Sequence, residues 1–440
     1  MLMIILLLNI TNLYFYKFQF LNNFKSQFFF FFFFFLNVNL GFMFFNITSV
    51  FGMDMYSYGL MLLSIWICLL NMMVSMNFFS FNKLFMLNNF ILMIILLMMF
   101  SMMNLFYFYI LFESSLLPII LMIIGWGNQV DRIQAGIYLL FYTLLFSMPM
   151  LICIMKIKII MFTMIMNLID NMNMLMIYLI LMLSFLVKMP MYFIHLWLLK
   201  AHTEAPLGGS MILAGILLKM GGYGIMRIMK FLIYFSLKLN FIWMVISIMG
   251  GFYMSLMCII QLDMKLLIAC SSVVHMSLVI FGLLTMFNWG FSGGYILMIG
   301  HGLSSSGLFI LVNYYYNLFF SRSLLINKGL MSMFPILSLW WFLMLSSNMA
   351  APPSLNLLGE VSLINVILNW SNLNLLLLML ISFFSVVYSL YIYTFSQHGK
   401  FLNGILISLI MSYKDFLILI MHWLPMNLLI LKVDFMFLIV

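Results

Sequence analysis

Charged side chains are scarce here: Asp, Glu, Lys and Arg together make up 6% of 440 residues. Hydrophobic residues make up 67% and the mean hydropathy is +1.24, so a water-soluble fold is excluded for want of a core large enough to hold them. Period-two alternation is missing as well. The run ILMIILLMMF at 91–100 is apolar throughout, whereas a membrane β-barrel needs polar lumen residues at alternate positions. What remains is an all-α polytopic bundle, in which each segment satisfies its own backbone in lipid. Cysteine is rare. Cys68, Cys153, Cys258 and Cys270 form no C-x-x-C pair, which excludes, as far as spacing can, a cysteine-ligated iron–sulfur or zinc site within the chain. The six histidines form no H-E-x-x-H pattern. The net charge of +9 is spread without a basic block or nucleic-acid recognition motif, so it reads as a loop property. The opening MLMIILLLNI has no basic segment or small-residue cleavage site and is expected to remain as a span.

What is abundant is apolar sequence of bilayer length. Cutting at charges, Pro/Gly clusters and Asn/Ser runs gives about fourteen spans, near 1–17, 27–45, 56–77, 84–103, 105–124, 134–155, 174–199, 207–229, 240–260, 264–286, 290–317, 332–370, 372–395 and 411–432. The poly-Phe run Phe28–Phe35 is hydrophobic without specifying contacts, and is assigned to packing against phospholipid. The seventh and twelfth spans are expected to be broken helices, at Pro190 and at Ala351-Pro352-Pro353. Proline removes a backbone donor and crowds the carbonyl four residues back. Breaks five spans apart suggest two inverted five-helix repeats, 84–229 and 240–395, flanked by N-terminal helices in 1–83 and a C-terminal helix in 396–440. Methionine and phenylalanine each occur 49 times, a bias that points to an A+T-rich organellar genome whose code has extra methionine codons.

Against that background each internal charge stands out. Lys188 is the single fixed charge between Met174 and Leu199, two residues before Pro190. A lysine at bilayer depth costs roughly 2.5–3.5 kcal/mol on insertion scales, which makes it a functional candidate. Glu113, mid-span in FYILFESSLLP, is either a locally bonded packing residue or a carboxylate partner for Lys188. In the second case the two protonation states are coupled. Lys219 lies in ILLKMGGYG, where the glycines explain close helix approach but not the lysine. Glu360 follows the second break and mirrors Lys188 with opposite sign. His275 and His301 fall on consecutive spans beside Ser271, Ser272, Ser304 and Ser305, which suggests a water-lined relay over simple packing. His195 shares a face with Tyr192 and Lys188 if the helix resumes after Pro190. Lys200, His202 and Glu204 read as a solvated connector, and His398 and His422 receive no role.

The segments VKMPMYFIHLWLLKAHTEAPLGGSMILAGILLKMGGYGIMR (187–227), ACSSVVHMSLV (269–279), GHGLSSSGLFIL (300–311) and APPSLNLLGE (351–360) resemble the chain 4 family of mitochondrial NADH–ubiquinone oxidoreductase, respiratory complex I. FYILFESSLLP and GWGNQVDRIQAG carry the same resemblance, which extends over roughly 100–395. That family is similar in turn to Mrp-type cation/proton antiporters. The resemblance implies a multi-pass subunit of the mitochondrial inner membrane, working within an H+-translocating NADH:ubiquinone reductase. NADH, FMN, iron–sulfur clusters and ubiquinone would be bound by other subunits, and the sibling antiporter-like chains would be neighbours. It also implies a proton relay through Glu113, Lys188, Lys219, His275, His301 and Glu360, with His195 a further candidate. The glutamate at 360 matters, since sibling subunits usually have lysine there. Leu199 stands where the family usually has proline. A free-standing sodium/proton antiporter and a purely structural membrane subunit are the alternatives from other classes.

Overall fold

The computed structural model describes residues 50–75, 82–400 and 412–433. The expected spans 1–17 and 27–45, with the poly-Phe run, lie outside them. The described residues are helical, with three isolated β-bridges and no strand. In chain order come α1 (Met55–Ser75), α2 (Asn82–Ser101), α3 (Leu105–Ser114), α4 (Leu116–Trp126), α5 (Arg132–Met161), α6 (Leu175–Lys188) and α7 (Leu196–Glu204). After them come α8 (Leu207–Ile212), a π-helical turn (Leu213–Leu217), α9 (Leu218–Ile228), α10 (Ile233–Ile260), α11 (Met264–Leu284) and α12 (Asn288–Phe319). The last are α13 (Pro335–Asn348), α14 (Leu355–Trp370), α15 (Leu375–Gln397) and α16 (Tyr413–Leu428). Every expected span from the third onward coincides with one of these helices or with a broken pair. Ten of the helical stretches are long and apolar enough to cross a membrane.

The bundle has a buried centre and an apolar periphery. The stretch Leu207–Ile228 and helices α11 and α12 are almost wholly enclosed by the others. Helices α5, α15 and α16 instead turn much of their apolar surface outward, as Phe141, Ile152, Phe383 and Leu417 do. Those outward faces suit hydrocarbon. The centre is where polar groups are affordable, because each can be answered by protein. Its serines show how: Ser271 Oγ donates to the carbonyl of Ile268, Ser272 Oγ to Ala269, and Ser305 Oγ to His301. Such bonds within a helix hide hydroxyls from lipid.

Local chemistry sets the helix ends. Asn104 caps α3 by accepting from the Phe106 N–H, and Ser354 starts α14 by accepting from Leu357. Ser412 and Asp415 form a capping box on α16. Both expected breaks are present. The first is longer than Pro190 alone requires: α6 ends at Lys188, Phe193 takes φ of 77°, and helix returns only at Leu196. Lys188 therefore ends one helix while His195 lies in the turn before the next, and the common face expected from an immediate restart is not formed. At the second break Ala350 takes φ of 59° before the Pro352-Pro353 pair. The Asn356 side chain, from the first turn of α14, donates to the Ser347 carbonyl at 2.9 Å and so ties the two halves.

Candidate functional site

Glu113 is the penultimate residue of α3 and Lys188 ends α6, and the packing of those two ends brings the charges together. Lys188 Nζ is 4.0 Å from Glu113 Oε1, 3.1 Å above the Phe112 ring and 2.9 Å from the Phe112 carbonyl oxygen, to which it donates. Lys188 is buried, and neither carboxylate oxygen of Glu113 accepts a hydrogen bond. The pair is thus held by charge rather than by a direct hydrogen bond, a geometry that can tighten or loosen.

Lys219 begins the next part of the row. The glycines after it let α9 press against the first break: a methyl at Gly221 would sit 2.9 Å from the Met189 nitrogen, and one at Gly224 would overlap the Phe185 ring. The π turn just before Lys219 offers the Ala214 carbonyl, to which Nζ donates. Nζ also lies 3.0 Å from His301 Nδ1 on α12. The His301 and His275 rings have centroids 5.5 Å apart at 45°, with no hydrogen bond between them. His275 Nδ1 is 3.3 Å from Glu360 Oε1 on α14, and its Nε2 is 3.4 Å from the Tyr388 hydroxyl on α15. The six residues expected to act together therefore form two contact groups, Glu113–Lys188 and Lys219–His301–His275–Glu360. The groups are linked through the packing of α9 on the α6 terminus. The seventh, His195, is apart: it stacks on Tyr192 with centroids 5.4 Å apart.

Several residues fall where sequence reading did not put them. His202 is not part of a solvated connector. It is fully buried in α7, stacked on Phe309 at 4.8 Å, with no hydrogen bond at either ring nitrogen. Lys265, which the sequence did not single out, is buried and donates to the Ala205 carbonyl at 2.6 Å. Arg227 is also buried. It pairs with Asp54 at 2.7 Å and donates to the Tyr223 hydroxyl, which in turn donates to the Phe100 carbonyl. Asp54 lies just ahead of α1. Burial pushes its carboxyl up, but Arg227 and the hydrogen bonds from Ser57 together hold it below the usual carboxylate range. Tyr388 carried no sequence signal of any kind. Among the described residues no three His, Cys, Asp or Glu side chains converge as metal ligands.

A multi-helix membrane protein with two broken helices and a buried row of ionisable side chains is a transporter-like subunit by architecture. The fold agrees with solved structures of that class. It superposes on a chain of respiratory complex I from Thermus thermophilus with bound NADH at TM-score 0.85, with 20% identity over 94% of this chain and 92% of that one. It also matches a chain of the Mrp complex from a Dietzia species at TM-score 0.72, with 18% identity over 80% and 67%. Residues 102–386 match the family described as NADH:quinone oxidoreductase/Mrp antiporter, TM. Residues 1–104 match the amino terminus of NADH-ubiquinone oxidoreductase chain 4. Chains of that name from Aedes aegypti and Ceratitis capitata are 54% and 50% identical, over 90% and 88% of both partners. The chain belongs to the NADH-ubiquinone oxidoreductase chain 4 family, and is a membrane subunit of that respiratory complex with an antiporter-like fold.

Proposed function

We propose that this chain carries protons across the mitochondrial inner membrane, driven by electron transfer in other subunits of the complex. Glu113, Lys188, Lys219, His301, His275 and Glu360 form the path. NADH, FMN, the iron–sulfur clusters and ubiquinone belong to those other subunits, and the sibling antiporter-like chains and phospholipid are its neighbours. Residues 84–229 and 240–395 are inverted repeats that each contribute one broken helix. The row of contacts supports this reading. Four of its members meet through separations of 3.0 Å, 5.5 Å between rings and 3.3 Å, three of them on the most enclosed helices of the bundle. A purely structural subunit would have no use for them, since each unpaired charge at that depth costs roughly 2.5–3.5 kcal/mol.

In this scheme the Glu113–Lys188 pair is the driven element. Closing it favours charge on Lys188, and opening it favours release of the proton towards Lys219. His195 stays a candidate beside the first break, without a contact to the row. The test is proton pumping measured against NADH oxidation in vesicles carrying Lys188→Ala. Loss of pumping with the complex assembled is expected. An unchanged proton-to-electron ratio would make the buried lysine structural.

A further inference from the structure

His275 is the residue through which the row must turn from α12 to α14, and both of its ring nitrogens are already occupied. Nδ1 faces Glu360 Oε1 at 3.3 Å, and Nε2 is hydrogen-bonded to the Tyr388 hydroxyl at 3.4 Å. His301, the next residue of the row, reaches it only ring to ring, while its own Nδ1 is engaged with Lys219. Tyr388 enters from α15, one of the peripheral helices, yet its side chain is fully buried and directed at the centre. A phenol donates to one acceptor through its single proton and can accept in return. With His275 neutral, Tyr388 donates to Nε2, so Nε2 has no proton and Nδ1 presents its own to the Glu360 carboxylate. A proton arriving from His301 then finds no free nitrogen on His275.

We propose that Tyr388 gates the row by occupying His275 Nε2. Transfer from His301 requires the tyrosine hydroxyl to turn away or to exchange its role from donor to acceptor. The exchange balances simply. Nε2 gains a proton, the imidazolium Nε2–H donates to the phenolic oxygen, and the Nδ1 proton is free to pass to Glu360, which restores the neutral ring. No bond to carbon changes and no oxidant or reductant is needed. The peripheral helix α15 thereby acquires a task, because a small shift of it relative to α11 lengthens a contact that is already long for a hydrogen bond. This inference rests on the relay reading above and adds to it a point within the second contact group at which the row is closed at rest.

The experiment is passive proton leak in proteoliposomes containing the whole complex, measured without NADH as the decay of an imposed pH gradient. Tyr388→Phe keeps the ring and its packing and removes the hydroxyl. The leak is expected to rise about fivefold, the factor that loss of one ordinary neutral hydrogen bond makes. In the double variant Tyr388→Phe/His275→Gln the added leak should vanish, because the path it opens runs through His275. No rise in Tyr388→Phe overturns the gate. A rise that persists in the double variant also overturns it, since the leak then comes from disturbed packing. His275→Gln alone separates the two levels of argument. If it pumps normally, the relay itself is wrong; if it stops pumping while Tyr388→Phe does not leak, only the gate is wrong.

Discussion

Replacing Glu113 by Gln keeps the shape of the side chain and removes one charge of the pair proposed to drive transport. At an effective dielectric constant of about 20, unit charges 4.0 Å apart attract by about 4 kcal/mol. Doubling the separation halves this, so opening and closing the pair changes the free energy of carrying charge at Lys188 by about 2 kcal/mol. Moving one charge against 100 mV takes about 2.3 kcal/mol, so the swing offsets a potential of about 90 mV. In Glu113→Gln the swing is gone, while the Phe112 carbonyl and ring still hold the ammonium. The variant is expected to assemble and oxidise NADH. Any pumping that persists should stall at a membrane potential about 90 mV lower than in the parent complex. Proteoliposomes with a potential-sensitive dye, titrated with potassium and valinomycin to set the opposing voltage, read that stall point directly. A variant that pumps to the same potential as its parent would refute the argument, because the pair would then contribute nothing to the driven step.

Arg227→Met leaves Asp54 partly buried without its partner, and is expected to lower stability by about 3–5 kcal/mol. Thermal unfolding of the complex or loss of assembly on a native gel would show it, and retention of full stability would contradict the pairing. Because the folded Asp54 carboxyl titrates below its ordinary 3.8, the stabilisation is complete above that pH and is lost only as pH falls through the lower folded value. Titration of this carboxyl should therefore leave the stability of the parent unchanged from pH 6 to 8. Gly221→Ala places a methyl against backbone atoms of Phe185 and Met189 that cannot move aside, so a loss of about 1–3 kcal/mol is expected. Gly222→Ala meets only the flexible ends of Met298 and Met189 and should be tolerated, and equal thermal stability of the two variants would refute that contrast.

Much of this could be read from residue type and position. Lys188, Lys219, Glu113 and Glu360 were legible because a charge in an apolar run has few ordinary explanations, and the two breaks because proline leaves a local mark. The length of the first break was not. It depends on how Tyr192 packs against Gly250 and Tyr253, contacts some 60 residues distant along the chain. The burial of Arg227 and Lys265 was not legible because what answers them comes from far away: Asp54 for one, the Ala205 carbonyl just after α7 for the other. His202 looked solvated because its neighbours Lys200 and Glu204 are polar, while its real environment is the Phe309 ring on α12. Tyr388 is one of 21 tyrosines, and only the fold distinguishes it.

The π turn at Leu213–Leu217 has a consequence for how the chain can change over evolutionary time. A π turn holds roughly one more residue than an α turn. Deleting any one of those five residues would remove nothing charged and would scarcely alter hydropathy. Yet it would let the helix close into regular α geometry, with the helix after it turned hardly at all, because the α turn spans the same rotation with one residue fewer. The widened turn that presents the Ala214 carbonyl to the Lys219 ammonium would be lost, with every charged group still present. The spacing of this short apolar stretch is therefore under tighter constraint than its composition: leucine can replace isoleucine here, but the number of residues cannot drift.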